Sequence, residues 1–442
     1  MEIRSPTSHA GIPDHISSII VAQLRELKPL LPLTRLSVSF CDALPSAHLN
    51  TLLLLTPPTI SELTLHGISN TSEIKAASLM QTLTVDGKSL RTLDLSGRFT
   101  STIYEALRNC THLEFINLNF TSSQMSSHLL QSLSVMGHSL KYLTMTFDAR
   151  STFEEEGRPS TKSSKSTTTF DTLSRLILSG SSAMVSRVLG SIQAPFLDAI
   201  LVCCWSAQPE ADSVEAEFAS VVQKCMVLNG GRADNLRHVS ISHTNAVAAF
   251  DYETTFASLK ACRNIQSLNI DVPRLKVTSR VLSNFLKAGY WANLSSLQLY
   301  FKHPSTVRGV GYGLTAHTLV TMAVHCPNLV SAQIPLDGTM KLGDLAYMRS
   351  KVQSTPRKNH VLKTLSFQRL PHKWDLSMTL AIAFAGFLDH LFPSLRDQSL
   401  SGGVPERGDW WTGVVAMMAE FRRIRAAERA IILGAEDSSA AN

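Results

Sequence analysis

The sequence predicts an α/β solenoid, a horseshoe with a parallel sheet on its concave face and helices on its convex face. Three observations carry this expectation. A short apolar motif recurs twelve times along the chain. Stretches of helical periodicity lie between its copies. The composition, 44% hydrophobic and 17% charged over 442 residues, can supply a core to every copy.

Each copy reads apolar-x-x-apolar-x-apolar. In order, the triplets are Leu33/Leu36/Val38, Ile60/Leu63/Leu65, Leu90/Leu93/Leu95, Leu113/Ile116/Leu118, Leu140/Leu143/Met145 and Leu173/Leu176/Leu178. Then follow Leu197/Ile200/Val202, Leu236/Val239/Ile241, Ile265/Leu268/Ile270, Leu294/Leu297/Leu299, Leu329/Ala332/Ile334 and Leu362/Leu365/Phe367. The second and third members stand two residues apart, so they point to one face of a short strand, while the first fills the turn below it. One such unit cannot bury its apolar side alone, but a stack of them makes a continuous core. This is the pattern of a leucine-rich repeat. First members are 23 to 39 residues apart, against about 20–29 for the class, so the repeats carry insertions. A degenerate further unit is expected at Leu395 and Leu400.

Helical spacing fills the intervals. Glu73 to Leu83 places Ile74, Leu79 and Leu83 on one face, and Ser127 to Val135 and Leu314 to Val324 look alike. Leu376 to Leu388 is too short to span a bilayer and reads as a core helix. The expected organisation is a polar N-terminal segment with a capping helix over 1–32, the solenoid over 33–408, a C-terminal capping helix over 409–434 and a disordered tail over 435–442. Within the solenoid, the Ser/Thr/Lys-rich stretch 148–169 reads as a disordered insertion in place of a helix, either a plain solvated loop or a modified or partner-contacting one. In the capping helix, Trp410, Val414, Met417, Phe421, Ile424 and Ile431 form an apolar stripe, with Arg422, Arg423, Arg425 and Arg429 elsewhere. Covering the open end of the solenoid is the preferred role, and a membrane-surface or partner helix is the alternative.

Composition and motifs exclude several function classes. The net charge of +6 is mild and its cations are scattered, which argues against nucleic acid. Among the seven cysteines there is no Cys-x-x-Cys pair. Cys203 and Cys204 are adjacent, and Cys110, Cys262 and Cys326 each precede the first apolar member of a repeat by three residues, where a small buried thiol fits. All seven are read as reduced, and the polar N-terminus shows no secretory signal, so the expected location is the cytosol or nucleus. Gly309, Gly311 and Gly313 lack the spacing and acidic partner of a dinucleotide fingerprint. His317 and His325 share a helix but stand too far apart to pinch a metal. No phosphate loop, zinc-protease motif or nucleophile elbow is present. Hence no catalytic residue, no cofactor, no metal and no membrane partner is expected, and the chain is expected to be a monomer.

What remains is the surface between the apolar members. The residues before the second members read Arg35, Glu62, Thr92, Phe115, Tyr142, Arg175, Ala199, His238, Ser267, Ser296, Ser331 and Thr364. Those after them read Ser37, Thr64, Asp94, Asn117, Thr144, Ile177, Leu201, Ser240, Asn269, Gln298, Gln333 and Ser366. All are assigned to the concave face. Most are small and polar, but Phe115, Tyr142, Arg175, Ile177 and Leu201 come from consecutive repeats and should form one apolar patch with an arginine. Such side chains are those that interface hot spots favour, so the patch is the candidate site for a protein ligand. The alternatives are that the insertion folds over it, or that the register is off by one residue there.

The openings Cys110-Thr-His-Leu113-Glu-Phe-Ile116-Asn-Leu118, Cys262-Arg-Asn-Ile265-Gln-Ser-Leu268-Asn-Ile270 and Cys326-Pro-Asn-Leu329 resemble the leucine-rich-repeat region of F-box proteins of the divergent fungal type. So do the unit Ser191 to Ile200 and the terminal Leu391-Phe-Pro-Ser-Leu395. The likeness spans roughly Leu33 to Leu433. It implies a non-catalytic protein-binding scaffold, the substrate-recognition region of a ubiquitin ligase receptor, with a cullin ligase adaptor as a further partner. No complete F-box is visible. Ile12-Pro13-Asp14 with Ile16, Ile19, Ile20 and Leu24 resembles its opening, but Pro29 and Pro32 lead straight into the first repeat. The other reading is a standalone repeat protein that binds or inhibits a partner without any ligase.

Overall fold

The computed structural model describes residues 2–3, 34–40, 59–86, 90–121, 124–125, 127–153, 167–206, 211–229, 235–244, 250–273, 275–300, 314–336, 342–353, 360–368, 377–396, 400–402 and 408–440. They form two compact units, Met1–Gln208 with Lys224–Asn235 and Pro209–Gln223 with Leu236–Asn442. Each is a stretch of leucine-rich-repeat solenoid. In the first, parallel strands follow one another in chain order: β1 (Glu2–Ile3), β2 (Arg35–Ser39), β3 (Glu62–Ile68), β4 (Thr92–Gly97), β5 (Phe115–Phe120), β6 (Tyr142–Phe147), β7 (Arg175–Ser181) and β8 (Ala199–Trp205). In the second, the order is β9 (His238–Thr244), β10 (Ser267–Asp271), β11 (Ser296–Tyr300), β12 (Ser331–Pro335), β13 (Thr364–Gln368) and β14 (Leu400–Gly402).

The apolar triplets set this arrangement. Leu93, Leu95, Leu118, Leu143, Met145, Leu176 and Leu178 are fully buried in the first unit, as are Leu268, Ile270, Leu297, Leu299, Leu362 and Leu365 in the second. Equivalent members pair across strands, Leu93 with Ile116 and Ile116 with Leu143, so the repeats stack without a slip there. Strands β3 to β8 and β10 to β13 are entered through the same turn, in which one carbonyl takes two successive N–H groups, using both its lone pairs. Arg91 O accepts from Glu114 and Phe115 at 2.8 and 3.0 Å, and Gln266 O from Ser295 and Ser296 at 2.8 and 2.9 Å. The degenerate last repeat is real: β14 pairs with β13, Leu365 opposite Leu400, and Leu395 is buried.

Helices form the second layer. They are α1 (Glu73–Asp86), α2 (Ser101–Arg108), α3 (Ser127–Ser134), α4 (Ser182–Gly190), α5 (Ala211–Val227), α6 (Tyr252–Thr255), α7 (Ser279–Lys287), α8 (Ala316–His325), α9 (Leu342–Gln353), α10 (Met378–Leu391) and α11 (Gly408–Ala440). Neighbours pack side by side, α1 on α2, α2 on α3, α7 on α8 and α10 on α11. Ser181, Thr278 and Ser377 open α4, α7 and α10, each side chain accepting an N–H three residues on at 3.3 Å. The cysteines before the repeats lie where expected: Cys110, Cys262 and Cys326 are buried, and Cys110 Sγ donates to Ala106 O at 3.6 Å.

One inward layer lies beyond the triplets, two residues after each third member. In the first unit it holds Phe120 and Phe147, stacked with centroids 4.9 Å apart, followed by Gly180 and Cys204. Gly180 gives the Phe147 ring room, since a Cβ there would lie 3.0 Å from its Cδ2. On β4 the same position is Gly97, at φ +146°, where a Cβ would stand 2.2 Å from the Ile68 carbonyl oxygen. Gly97 pairs with Ile68 across a register shift in β3. In the second unit the layer holds His243, between Phe218 and Phe250 at centroid distances of 5.1 and 5.2 Å.

Several expectations are corrected. Within the polar segment 1–32, Glu2 and Ile3 add a strand to the open edge of β2; residues 4–33, with the proposed first helix, Pro29, Pro32 and Leu33, lie outside the described residues. Ile74 is exposed, whereas Leu79 and Leu83 are buried, because the buried face of α1 runs through Glu73, Ala76, Met80 and Leu83 and Ile74 lies off it. The insertion 148–169 is ordered at both ends. Asp148 Oδ1 accepts from Arg150 N at 3.1 Å and Ser151 Oγ at 2.7 Å, an Asx turn, after which Thr152–Phe153 pairs with Gln124–Met125. Thr168–Thr169 pairs with Ile192–Gln193. Residues 154–166 lie outside the described residues, as do Gly309, Gly311 and Gly313.

The C-terminal helix also differs. It runs to Ala440, through most of the predicted tail 435–442; Gly434 is tolerated inside it and no proline follows. Its buried residues are Val414 and Met418, while Ile424 and Ile431 are exposed. Two of the arginines do not lie on a separate face, while Arg423 is exposed and pairs with Glu420. Arg425 pairs with Asp389 of α10, and Arg422 Nε stands 3.8 Å from the same carboxylate. Asp389 is buried, and a buried carboxylate needs cations beside it. The side chains of Trp410 and Arg429 lie outside those described. No helix of the described residues is long and apolar enough to cross a membrane.

Candidate docking groove on the strand face of the first unit

The groove follows from strand alternation. Because the triplets point inward, the residues between them point to the open face, and register aligns them in rows across β4 to β8. One row is Thr92, Phe115, Tyr142, Arg175 and Ala199, and the next is Asp94, Asn117, Thr144, Ile177 and Leu201. These are the rows read from the sequence, so the register there is not off by one. Phe115 and Tyr142 are stacked, with centroids 4.5 Å apart and planes 12° from parallel. They keep 39% and 36% of their surface exposed. Each ring braces its neighbour across the strand pair, and the outer faces stay wet.

Around this stack lies a concavity of about 400 Å³, lined by Thr92, Asp94, Phe115, Asn117, Tyr142, Thr144, Arg175 and Ile177. Asn117 Nδ2 donates to Asp94 Oδ1 at 3.1 Å, which holds the carboxylate in place without neutralising it. Arg175 is exposed. Among the described residues, no carboxylate pairs with Arg175 and no cation pairs with Asp94. At the rim, Glu114 sits between Lys141 and Arg91, each 2.7 Å away. The hydrogen bond from Lys141, helped by the charges of both cations, holds the Glu114 carboxyl below its ordinary range.

Four of the five candidate residues, Phe115, Tyr142, Arg175 and Ile177, line the groove together. Leu201 does not. It pairs with Ile177 one strand further on and is half-buried, beside a buried Ala199. Sequence reasoning passed over Asp94 and Asn117. Both stood in the outward rows, but a search for apolar patches leaves a short polar pair unremarked.

Among the described residues no group of three or more His, Cys, Asp or Glu side chains could hold a metal ion. Burial pushes the thiols of Cys110, Cys204 and Cys326 up to about 12, which keeps them protonated and unreactive.

Fold and groove define a leucine-rich-repeat protein with an open, partly aromatic strand face. No protein-family model matches the chain, and no curated protein matches it. Among solved structures it is similar to the complex of Rad7 and Elc1 in yeast, with 11% identity over 86% of each chain and a TM-score of 0.39.

Proposed function

We propose that the chain is a non-catalytic protein-binding scaffold of the cytosol or nucleus, and that it serves as the substrate-recognition region of an F-box-type ubiquitin ligase receptor. One observation carries the binding part: an exposed Phe115–Tyr142 stack beside an Arg175 that no described carboxylate pairs. Aromatic and arginine side chains dominate interface energetics, and exposed apolar surface that stays rigid costs little entropy to bind with. Phe115, Tyr142, Arg175 and Ile177 are the contact residues, with Leu201 at the margin. The ligase part is supported by the resemblance in the repeat openings at Cys110, Cys262 and Cys326, each of which is buried beneath its strand.

The test is quantitative affinity purification of the full chain against its Tyr142→Ala and Arg175→Glu variants. Proteins held by the wild type are expected to drop at least tenfold in both variants, while a cullin adaptor, held elsewhere, co-purifies equally with all three. Partners that ignore both substitutions would remove the groove from the function. Groove-dependent partners without any cullin adaptor would leave a standalone binding protein.

A further inference from the structure

The groove is charged at its two ends and apolar between them. Asp94 projects from β4 at one end and Arg175 from β7 at the other, with the Phe115–Tyr142 stack on the strands between. Three strand spacings separate β4 from β7, about 14 Å at about 4.8 Å each, and Asp94 shares its row with Ile177, two residues along the strand from Arg175, so the two backbone positions stand about 16 Å apart on the diagonal. An extended chain rises about 3.3 Å per residue and turns alternate side chains to the same side. A stretch from i to i+4 covers about 13 Å and presents residues i, i+2 and i+4 to the groove, and the side chains at i and i+4 span the remainder. The outer two fall at Asp94 and Arg175, and the middle one falls over the aromatic stack.

Resting on the docking role proposed above, we infer that the groove takes an extended segment of a partner protein carrying a basic residue and an acidic residue four positions apart, with an apolar residue midway. The basic group meets the Asp94 carboxylate, which Asn117 already orients through a hydrogen bond of 3.1 Å. The acidic group meets the guanidinium of Arg175, whose planar fork suits a carboxylate. The apolar side chain lies on the rings of Phe115 and Tyr142. A segment with two acidic ends meets Asp94 with like charge, and one with two basic ends meets Arg175 the same way, so both are rejected. Thr92 and Thr144 supply hydroxyls beside the stack for the main chain of the segment.

A displayed library of random seven-residue peptides tests this, selected on the full chain and counter-selected on Tyr142→Ala. Enriched peptides are expected to carry a basic and an acidic residue four apart, in either chain direction, around an apolar one. Arg175→Glu should then prefer the Lys-ended over the Glu-ended form of an enriched peptide, and Asp94→Lys the reverse. Each switch is expected to be at least tenfold by fluorescence anisotropy. Arg175→Gln keeps most of the side-chain stem and should weaken the acidic-ended peptide alone. Circular dichroism of each variant establishes that it is folded. Peptides that depend on Tyr142 but show no paired charges, or a preference for the acidic end that survives Arg175→Gln, would overturn the inference and leave the groove as a docking site. If no peptide depends on Tyr142, the docking role and the inference fall together.

Discussion

The strand faces of the two units stand on the same backbone and show solvent different chemistry. In the first unit the outward rows carry Phe115, Tyr142, Arg175 and Ile177. In the second they carry His238, Ser267, Ser296, Ser331 and Thr364, and beside them Ser240, Asn269, Gln298, Gln333 and Ser366. Several of these hydroxyls and amides already hold one another. Asn269 Nδ2 donates to Ser240 Oγ at 3.0 Å, and Tyr300 OH to Gln333 Oε1 at 2.5 Å. A ligand there must replace bonds that water and neighbours satisfy, with small net gain. A ligand on the aromatic face gains burial instead. The apolar triplets are thus alike in the two units and carry stability, whereas the outward rows are particular to each and are where the proposed affinity would reside.

If the triplets are interchangeable, equal truncations should cost equally. Leu118 and Leu299 are the third members of their triplets, one in each unit, and both are fully buried. Leu118→Ala and Leu299→Ala are each expected to cost about 3–4 kcal/mol, the transfer term plus the cavity left behind. Urea denaturation reads this, on whichever transition each substitution moves. A difference above about 2 kcal/mol would mean that one unit relaxes around its cavity and the other does not.

The next inward layer is where the units stop being alike, and acid should expose it. Phe120 and Phe147 fill it in the first unit and His243 in the second. Burial among Phe218 and Phe250 pushes His243 down to about 4. His360, also in the second unit, is lowered by burial too. Its Nδ1 accepts the Leu362 N–H at 3.1 Å and its Nε2 faces Cys326 O at 2.9 Å, which requires the neutral ring. An unfolded histidine titrates near 6.5. Between about pH 6.5 and 4 the unfolded chain therefore binds protons that the folded chain refuses, and stability falls as pH falls. At His243 the loss approaches 3 kcal/mol by pH 4. His243→Phe, which copies the first unit, should flatten that slope between pH 7 and 4 relative to the wild type. An unchanged slope would show that His243 is solvated before the unit unfolds.

Much of this was open to reading from the chain alone. The outward rows pair residue for residue as the spacing of two implies, from Arg35 with Glu62 through Tyr142 with Arg175. The strand period leaves only two choices of face, and twelve triplets in phase select one. The C-terminal helix was less legible. Hydropathy placed Ile424 and Ile431 on a buried stripe and the arginines outside it, because nothing local announces that Arg422 and Arg425 meet Asp389 on another helix. Gly97 is similar. Its positive φ answers the Ile68 backbone one repeat away, which no pattern within β4 contains. The charge at the far end of the groove, Asp94, depends on which side chains share a concavity across four strands, and spacing along one strand is silent on that.

The smallest effects should fall on the outward rows, and there the two units should separate in binding more than in stability. Tyr142→Ala removes one ring of a stack that is a third exposed, and is expected to cost about 1 kcal/mol of folding stability. Gln298→Ala removes a half-buried amide on β11 that no triplet needs, and should stay within about 0.5 kcal/mol. The same pair read against a groove-bound partner should diverge. Tyr142→Ala is expected to weaken it at least tenfold, about 1.4 kcal/mol, because the ring is desolvated only in the complex. Gln298→Ala should leave it unchanged. Calorimetric titration beside thermal melting separates the two readouts. A partner lost equally in both variants would place affinity on the amide face as well, and the distinction between the two faces would have to be redrawn.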